Sequence, residues 1–212
     1  MVERLQMVLS GEAVTLLADR ALYWPARQRL IVADLHLGKG AVMRRAGIAV
    51  PSGGTRRDLA RLTALLDVTR ADSLWVLGDF LHAARSEGSD AAWQQFRQAH
   101  SQLAMAVVPG NHDRALDADA ADVELIPDGT SDGPFNFRHA PGEPDGASGY
   151  TLCGHLHPVF KLPAMRAHPL FWIGDRCTVL PAFSLFTGGL RVDRRQVLGS
   201  VLCNGGDLLK LE

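Results

Sequence analysis

The sequence predicts an α/β fold because strand-like and helix-like segments alternate over its first half. Apolar runs typical of buried strands occupy residues 29–33, 73–77 and 104–108, and a polar cluster follows each run. Leucines at helical spacing begin near Thr55, and a second amphipathic segment runs from Ser89 to about Leu103. Because ligands gather outside the carboxyl ends of strands in α/β sheets, we expect a site where these strands end.

The other segments are predicted from shorter signals. Two short strands precede the first apolar run, and the turn between them and that run contains Pro25. Residues 38–54 are rich in glycine and proline and are predicted to be a loop, as is the turn-rich stretch 141–146. Predicted strands outside the three apolar runs are 14–17, 21–24, 122–126, 135–139, 150–153, 170–173, 178–183 and 197–202.

Composition is that of an ordinary globular protein. A length of 212 residues with 47% hydrophobic residues fits one domain, residues 1–212, with a sizeable core. No apolar run is long enough to span a bilayer, the amino terminus lacks a signal-peptide pattern, and the three cysteines are scattered. We therefore expect a cytoplasmic protein with reduced thiols. The net charge of −1 does not indicate a nucleic-acid-binding protein by itself, but it does not exclude one.

Four short polar clusters carry the chemistry, and an isolated histidine lies between the third and the fourth. Imidazole, carboxylate and amide oxygen are ligands that suit Mn, Fe or Zn, and one carboxylate can bridge two ions. With one ligand shared, each ion has about four protein ligands and keeps positions open, as catalytic sites do. The candidate ligands are Asp34, His36, Asp79, Asn111, His139, His155 and His157.

Spacing within the clusters suggests how the ligands are presented. Asp34 and His36 stand two residues apart after a strand, so in an extended segment both side chains point the same way, and His155 and His157 repeat this spacing. Asp79 follows Gly78, which allows close approach of the backbone and makes Asp79 the best candidate for the bridging ligand.

This ordered set of motifs resembles the calcineurin-like binuclear metallophosphoesterases. The resemblance implies a four-layer αββα sandwich, in which two central mixed sheets are flanked by helices, and hydrolysis by a metal-bridged hydroxide. It implies that His112 contacts the phosphate and protonates the leaving oxygen, and that Asp113 orients His112. It also assigns the ligands: Asp34, His36, Asp79 and His157 to one ion, and Asp79, Asn111, His139 and His155 to the other.

Further features narrow the expected substrate. The Asp-Arg-Gly of protein phosphatases does not follow Asp79, and the chain has no room for a separate cap domain. Long stretches look like the bacterial ligase-associated DNA damage response endonucleases, with Ser184-Leu185 as a small departure; they are 21–26, 33–39, 47–51, 154–158 and 180–189. This resemblance implies an Mn²⁺-dependent endonuclease that cleaves DNA. It also implies a repair setting beside an ATP-dependent DNA ligase and a helicase or exonuclease. We further expect single strands to be preferred, because an unpaired strand is the easier substrate for a shallow site.

Two other functions remain open from the sequence. One is a small-molecule phosphoesterase that acts on a nucleotide or a phospholipid-like substrate, and the other is a scaffold without catalysis. Two runs of arginine are either a phosphate-backbone track or solvated faces, and the tryptophans are either stacking platforms or core residues. The arginines are Arg44, Arg45, Arg56, Arg57 and Arg61 in one run and Arg191, Arg194 and Arg195 in the other, and the tryptophans are Trp24, Trp75, Trp93 and Trp172. His82, three residues after Asp79, is either a neighbour of the metal site or structural.

Overall fold

Two mixed β-sheets form the centre of the protein in this computed structural model, which describes residues 3–82, 87–142 and 149–212. Among these residues the first sheet has seven strands in chain order. Neighbouring strands are antiparallel from β1 to β4 and parallel from β4 to β7. The strands are β1 (Arg4–Leu9), β2 (Glu12–Leu17), β3 (Ala21–Trp24), β4 (Arg29–Ala33), β5 (Ser73–Leu77), β6 (Ala104–Val108) and β7 (Glu124–Leu125).

The second sheet is built from the second half of the chain. Its eight described strands are β8 (Thr130–Asp132), β9 (Phe135–Phe137), β10 (Tyr150–Cys153), β11 (Val159–Lys161), β12 (Ala167–Ile173), β13 (Cys177–Val179), β14 (Val201–Cys203) and β15 (Leu208–Lys210). The order is β15-β14-β12-β13-β10-β9-β8, and β11 pairs with β12. Strand β10 is parallel to both of its neighbours, β9 and β13.

Alternate side chains of the first sheet pack into two separate cores. Leu74 and Val76 of β5 face the helices, whereas Trp75 and Leu77 face the second sheet. The helices are α1 (Lys39–Arg45), α2 (Gly54–Thr69), α3 (Glu87–Ala99) and α4 (Ala118–Ala121). Helices α2 and α3 cover the outer face of the first sheet, and the predicted pair of mixed sheets flanked by helices is confirmed.

The outer face of the second sheet has a smaller apolar cluster. Leu170 of β12 and Leu202 of β14 pack there against Val192 and Val197, which flank the 3₁₀ turn Arg194–Gln196. This turn and its flanking loops cover the second sheet on the side away from the first.

The helical segments differ from the sequence prediction in several places, and the short α4 was not predicted. Residues 38–54 were predicted to be a loop, but they contain α1, because good helix formers lie between the glycines and Gly38 starts the helix at a φ of 85°. Helix α3 ends at Ala99 rather than at Leu103, and His100 and Leu103 then form a turn.

Most strands of the second half are shorter than predicted, but β10 matches its prediction and β12 begins three residues before the predicted 170–173. Strand β7 has two residues because Asp122, with a φ of 53°, ends the short α4 immediately before it. The strand predicted at 178–183 ends at Val179, and that predicted at 197–202 is β14. Strands β1, β8, β11 and β15 were missed. Most of the loop predicted at 141–146 lies outside the described residues.

Cys153, Cys177 and Cys203 form no disulfide among the described residues. Within the described ranges, no helix is both long and apolar enough to cross a membrane.

Candidate metal centre

The candidate site forms where strands of both sheets end. Asp34 directly follows β4, and Asp79 comes two residues after the parallel strand β5. His139 and His155 come two residues after β9 and β10, which are parallel neighbours in the second sheet. Side chains that are far apart in the sequence therefore meet at one edge between the two sheets.

Two groups of side chains have the spacing of metal ligands. In the first, candidate ligand atoms of Asp34, His36, Asp79 and His157 all lie within 4.8 Å of one another. In the second, those of Asp79, His139 and His155 do the same. The structure thus brings together six of the seven candidate ligands as two adjacent groups.

Asp79 belongs to both groups and directs one carboxylate oxygen towards each. Its Oδ2 lies 3.8 Å from Nε2 of His36, and its Oδ1 lies 3.8 Å from Nε2 of His139. In the first group, Nε2 of His157 lies 3.4 Å from Oδ1 of Asp34. A carboxylate placed between two ligand groups can bridge two ions.

Unpartnered nitrogens show that these residues fit metal ions. Both ring nitrogens of His36 and of His139, and Nε2 of His157, are buried without a hydrogen-bond partner. Buried polar atoms without partners are rare and costly, so a ligand that accepts nitrogen lone pairs is expected here. Burial, followed by the charge of Lys39, lowers the pKa of His36 to about 2, which keeps its imidazole neutral and able to bind a cation.

The backbone of the clusters is not extended, so our explanation of their spacing was wrong. Asp34, His36, Asp79, His155 and His157 have φ values between 45° and 70°, in the left-handed region. The chain turns sharply after each strand instead of continuing it. In this conformation the backbone N–H of His36 donates to the carbonyl oxygen of Asp79 at 2.8 Å, which joins the first cluster to the second.

Two glycines permit the close approach of the clusters. A Cβ atom on Gly78 would collide with the ring of His139, so the predicted close approach before Asp79 occurs. A Cβ atom on Gly154 would lie 2.6 Å from Oδ2 of Asp34. With glycine there, the backbone N–H of His155 donates to both carboxylate oxygens of Asp34, at 3.1 and 2.9 Å.

The third cluster packs against Asp79 through its backbone. The N–H of His112 donates to Oδ1 of Asp79 at 3.0 Å. Asn111 precedes it and is exposed. The ring of His112 stacks on that of His82. Of the two roles that the sequence left open for His82, this contact favours that of a neighbour of the metal site. Burial, followed by the charge of Lys39, lowers the pKa of His82 to about 4.

Asp113 has different partners from those that the family resemblance implied. Its Oδ2 accepts from the N–H groups of Phe80 and Gly110, at 3.1 and 2.8 Å, and its Oδ1 accepts from Leu81 at 2.8 Å. The Nδ1 atom of His112 lies 2.8 Å from the carbonyl oxygen of His82 instead. Asp113 thus fixes the second cluster against the third and does not contact the imidazole of His112.

Other side chains singled out in the sequence are structural. Trp24 and Trp93 are buried, so they are not stacking platforms. Arg61 binds Asp58 and the carbonyl oxygen of Phe183, at 3.0 and 2.9 Å, rather than facing solvent.

Arg20, close to the site, was missed from the sequence. It donates to the carbonyl oxygens of Ala182 and Ser184, at 3.2 and 3.0 Å. No local signal marks a contact across more than 160 positions of the chain.

The fold and this pair of ligand groups define a two-metal hydrolase. The calcineurin-like phosphoesterase family model matches residues 29–197, and the chain belongs to this family. It is a metal-dependent phosphoesterase with a site for divalent ions.

One solved structure is similar over nearly the whole length. This is the nuclease MPE of Pseudomonas putida, which is 37% identical, with a TM-score of 0.83 over 94% of this chain and 96% of that one. No curated protein matches the chain.

Proposed function

We propose that this protein is an Mn²⁺-dependent endonuclease that hydrolyses phosphodiester bonds of DNA, with a preference for single strands. The observation that carries the proposal is the carboxylate of Asp79, shared between two ligand groups. The similar solved structure, named as a nuclease, supports nucleic acid as the substrate. We place the enzyme in the cytoplasm, because its three cysteines are scattered and its amino terminus lacks a signal-peptide pattern. We place it in DNA repair beside an ATP-dependent DNA ligase and a helicase or exonuclease, as the resemblance of its sequence stretches implies.

The proposed ligands follow the two groups. Asp34, His36, Asp79 and His157 would hold one ion. Asp79, Asn111, His139 and His155 would hold the other, with Asn111 contributing its amide oxygen. Both sheets supply ligands, which supports a single domain over residues 1–212. When bound, the ions provide Lewis acidity for the phosphoryl oxygens and lower the pKa of water, so that a nucleophile forms near neutral pH.

The chain itself orients the leaving group through His112. The carbonyl oxygen of His82 can only accept, so Nδ1 of His112 carries a hydrogen and Nε2 is left for the substrate. In the protonated ring, Nε2 donates a proton to the departing oxygen. Asp113 keeps the backbone that bears His112 in place, which makes it a positioning residue.

Covalently closed single-stranded DNA is the most direct test, because it has no ends for an exonuclease. We expect the purified protein with Mn²⁺ to linearise and then fragment the circle, and a chelator to abolish cleavage. Asp79→Asn, purified in the same way, controls for contaminating nucleases. Parallel assays with Mg²⁺, Zn²⁺ and Fe²⁺ identify the metal, and end-group analysis of the products gives the bond that is cut.

The same assays distinguish the endonuclease from the alternative functions. If small phosphodiesters or nucleotides are hydrolysed while the circle stays intact at high enzyme concentration, the protein is a small-molecule phosphoesterase. If nothing is hydrolysed with any metal, the scaffold interpretation is correct.

A further inference from the structure

A second concave surface adjoins the metal centre. It is a cleft of about 250 Å³, and the candidate ligand His157 forms part of its wall. The cleft lies between the segment Ala182–Gly188 and the start of β12. Its polar lining includes Arg20, Arg166, His168 and Thr187, and none of the described residues that line it is acidic. The cleft therefore presents a positive surface beside the ions.

Arg20 lies in this cleft, and no carboxylate of the residues described in the structure forms an ion pair with it. One guanidinium nitrogen donates to the carbonyl oxygens of Ala182 and Ser184, and its Nε is buried with no partner. Asp19 and Asp58 are the carboxylates that act on the charge of Arg20, but each forms an ion pair with Arg61, at 3.3 and 3.0 Å. A cation that is largely removed from water and not neutralised favours the binding of an anion.

The pKa of Arg20 is consistent with this excess of positive charge. Burial lowers the pKa first, and the charge of Arg61 lowers it further. Asp58 and Asp19 raise it, but they offset only part of the decrease. The guanidinium remains protonated at neutral pH, so the charge persists and is available to a ligand.

Arg166 supplies a second guanidinium at the rim. It lies just before β12, its side chain is exposed, and within the described residues it has neither a hydrogen bond nor an ion pair. His168, two residues later, lines the same cleft and is half-buried. A half-buried and an exposed guanidinium in the lining of one cleft match the several oxygens of a phosphate, which arginine binds with its planar fork.

We propose that this cleft binds a backbone phosphate of the DNA strand next to the phosphodiester that is hydrolysed, between Arg20 and Arg166. This inference rests on the proposed endonuclease function and adds to it a way of selecting a polymer. A small diester has a single phosphate and cannot occupy the centre and the cleft together. An oligonucleotide can, so the cleft raises the kcat/KM of polymeric substrates over small ones.

The test compares two substrates, a labelled single-stranded oligonucleotide and bis(p-nitrophenyl) phosphate, in Arg166→Ala, Arg20→Gln and wild type. For each variant we expect the ratio of oligonucleotide to diester kcat/KM to fall about tenfold, the effect of losing one charge-assisted contact. Arg176→Ala is the matched control, because Arg176 is an exposed arginine that does not line the cleft, and it should keep the wild-type ratio.

Two further measurements do not depend on turnover. Binding of the oligonucleotide to metal-free protein, followed by fluorescence anisotropy in chelator, should weaken in Arg166→Ala. The dependence of log Kd on log salt should become shallower by about 0.7, the slope lost with one single-strand phosphate contact. Circular dichroism and metal content report whether Arg20→Gln keeps the fold, and Arg166→Ala tests the cleft even if Arg20→Gln does not fold.

The outcomes separate the two proposals. Wild type that hydrolyses the diester but never cuts the oligonucleotide refutes the endonuclease function, and no variant is needed to see this. Wild type that cuts the oligonucleotide, with Arg166→Ala keeping its substrate ratio, affinity and salt slope, overturns the phosphate subsite and leaves the endonuclease function intact.

Discussion

The imidazole of His112 stacks on that of His82, with ring centroids 4.9 Å apart and planes inclined by 23°. The Nδ1 atom of His112 also lies 2.8 Å from the carbonyl oxygen of His82. His82 thus fixes His112 twice, through its backbone and through its side chain. Asp113, the carboxylate next to His112 in the sequence, is fully engaged with backbone N–H groups instead.

Removing the stacked ring should loosen His112. We expect His82→Ala to lower kcat for a phosphodiester about three- to tenfold, the range of an aromatic pair contact, and His82→Phe to recover most of the loss. Metal content should stay at the wild-type level, because His82 belongs to neither ligand group. A decrease in His82→Phe as large as that in His82→Ala would show that ring stacking is not what positions His112.

Loss of the imidazole itself should depend on the leaving group. We expect His112→Ala to lower kcat about 100-fold or more for a deoxyribose leaving oxygen, which needs a proton. The loss should be smaller for p-nitrophenolate, which departs without one. Steady-state kinetics with both substrates measure the difference. Equal losses for the two leaving groups would assign His112 to phosphate binding rather than to proton donation.

The number of metal ions bound per chain should distinguish Asp79, which belongs to both ligand groups, from His139, which belongs to one. After dialysis against Mn²⁺ and removal of free metal, we expect about two ions per chain in wild type and about one in His139→Ala. Asp79→Asn should fall below one, because its carboxylate serves both groups. Elemental analysis gives the counts. Equal retention in the two variants would contradict the bridging role of Asp79.

Asp132 of β8, in the second sheet, forms ion pairs at 2.9 Å with Arg27 and with Arg29 of β4, in the first sheet. These ion pairs should make the stability of the fold depend on pH in the acid range. Hydrogen bonds from Arg27 and then from Arg29 hold the pKa of Asp132 below its ordinary value of 3.8. A carboxyl with a lowered folded-state pKa stabilises the fold above the unfolded-state pKa and loses this contribution as pH falls through the folded-state pKa.

Urea unfolding in chelator measures this effect. Asp132→Asn should be less stable than wild type at pH 6, and the difference should shrink below about pH 4, where the unfolded-state carboxyl protonates. A difference that stays constant from pH 6 to pH 3 would show that the charge of Asp132 is not what stabilises the contact with Arg27 and Arg29.

Local signals in the sequence predict much of the fold and the choice of candidate ligands. The apolar runs that precede Asp34 and Asp79 are strands that end at the site, as expected from buried strands in an α/β sheet. The assignment of seven ligands to two ions stays a prediction. Helix α1 was missed because the glycines in and around it suggested a loop. In the structure, Gly40 and Gly54 instead leave room for the ring of Phe186, a distant contact that the local sequence does not reveal.

Contacts between residues far apart in the chain could not be predicted from the sequence. The hydrogen bonds of Arg20 to Ala182 and Ser184, and that from the N–H of Phe80 to Asp113, depend on how distant segments pack together. The left-handed backbone at His155 and His157 also lacks a local signal, because this conformation stays uncommon even for histidine, which adopts it more often than most residues do.

The left-handed conformation at five candidate ligands sets hydrolysis against stability. Each such residue costs on the order of 1–2 kcal/mol relative to a relaxed backbone, and glycine does not carry this cost. Binding of metal ions would offset this cost in the loaded protein, and a chain that never binds them would carry the cost without that compensation. A lineage released from selection for hydrolysis would therefore gain stability by accepting glycine at Asp34, His36, Asp79, His155 or His157. The positions that disappear first would be those of the proposed metal ligands.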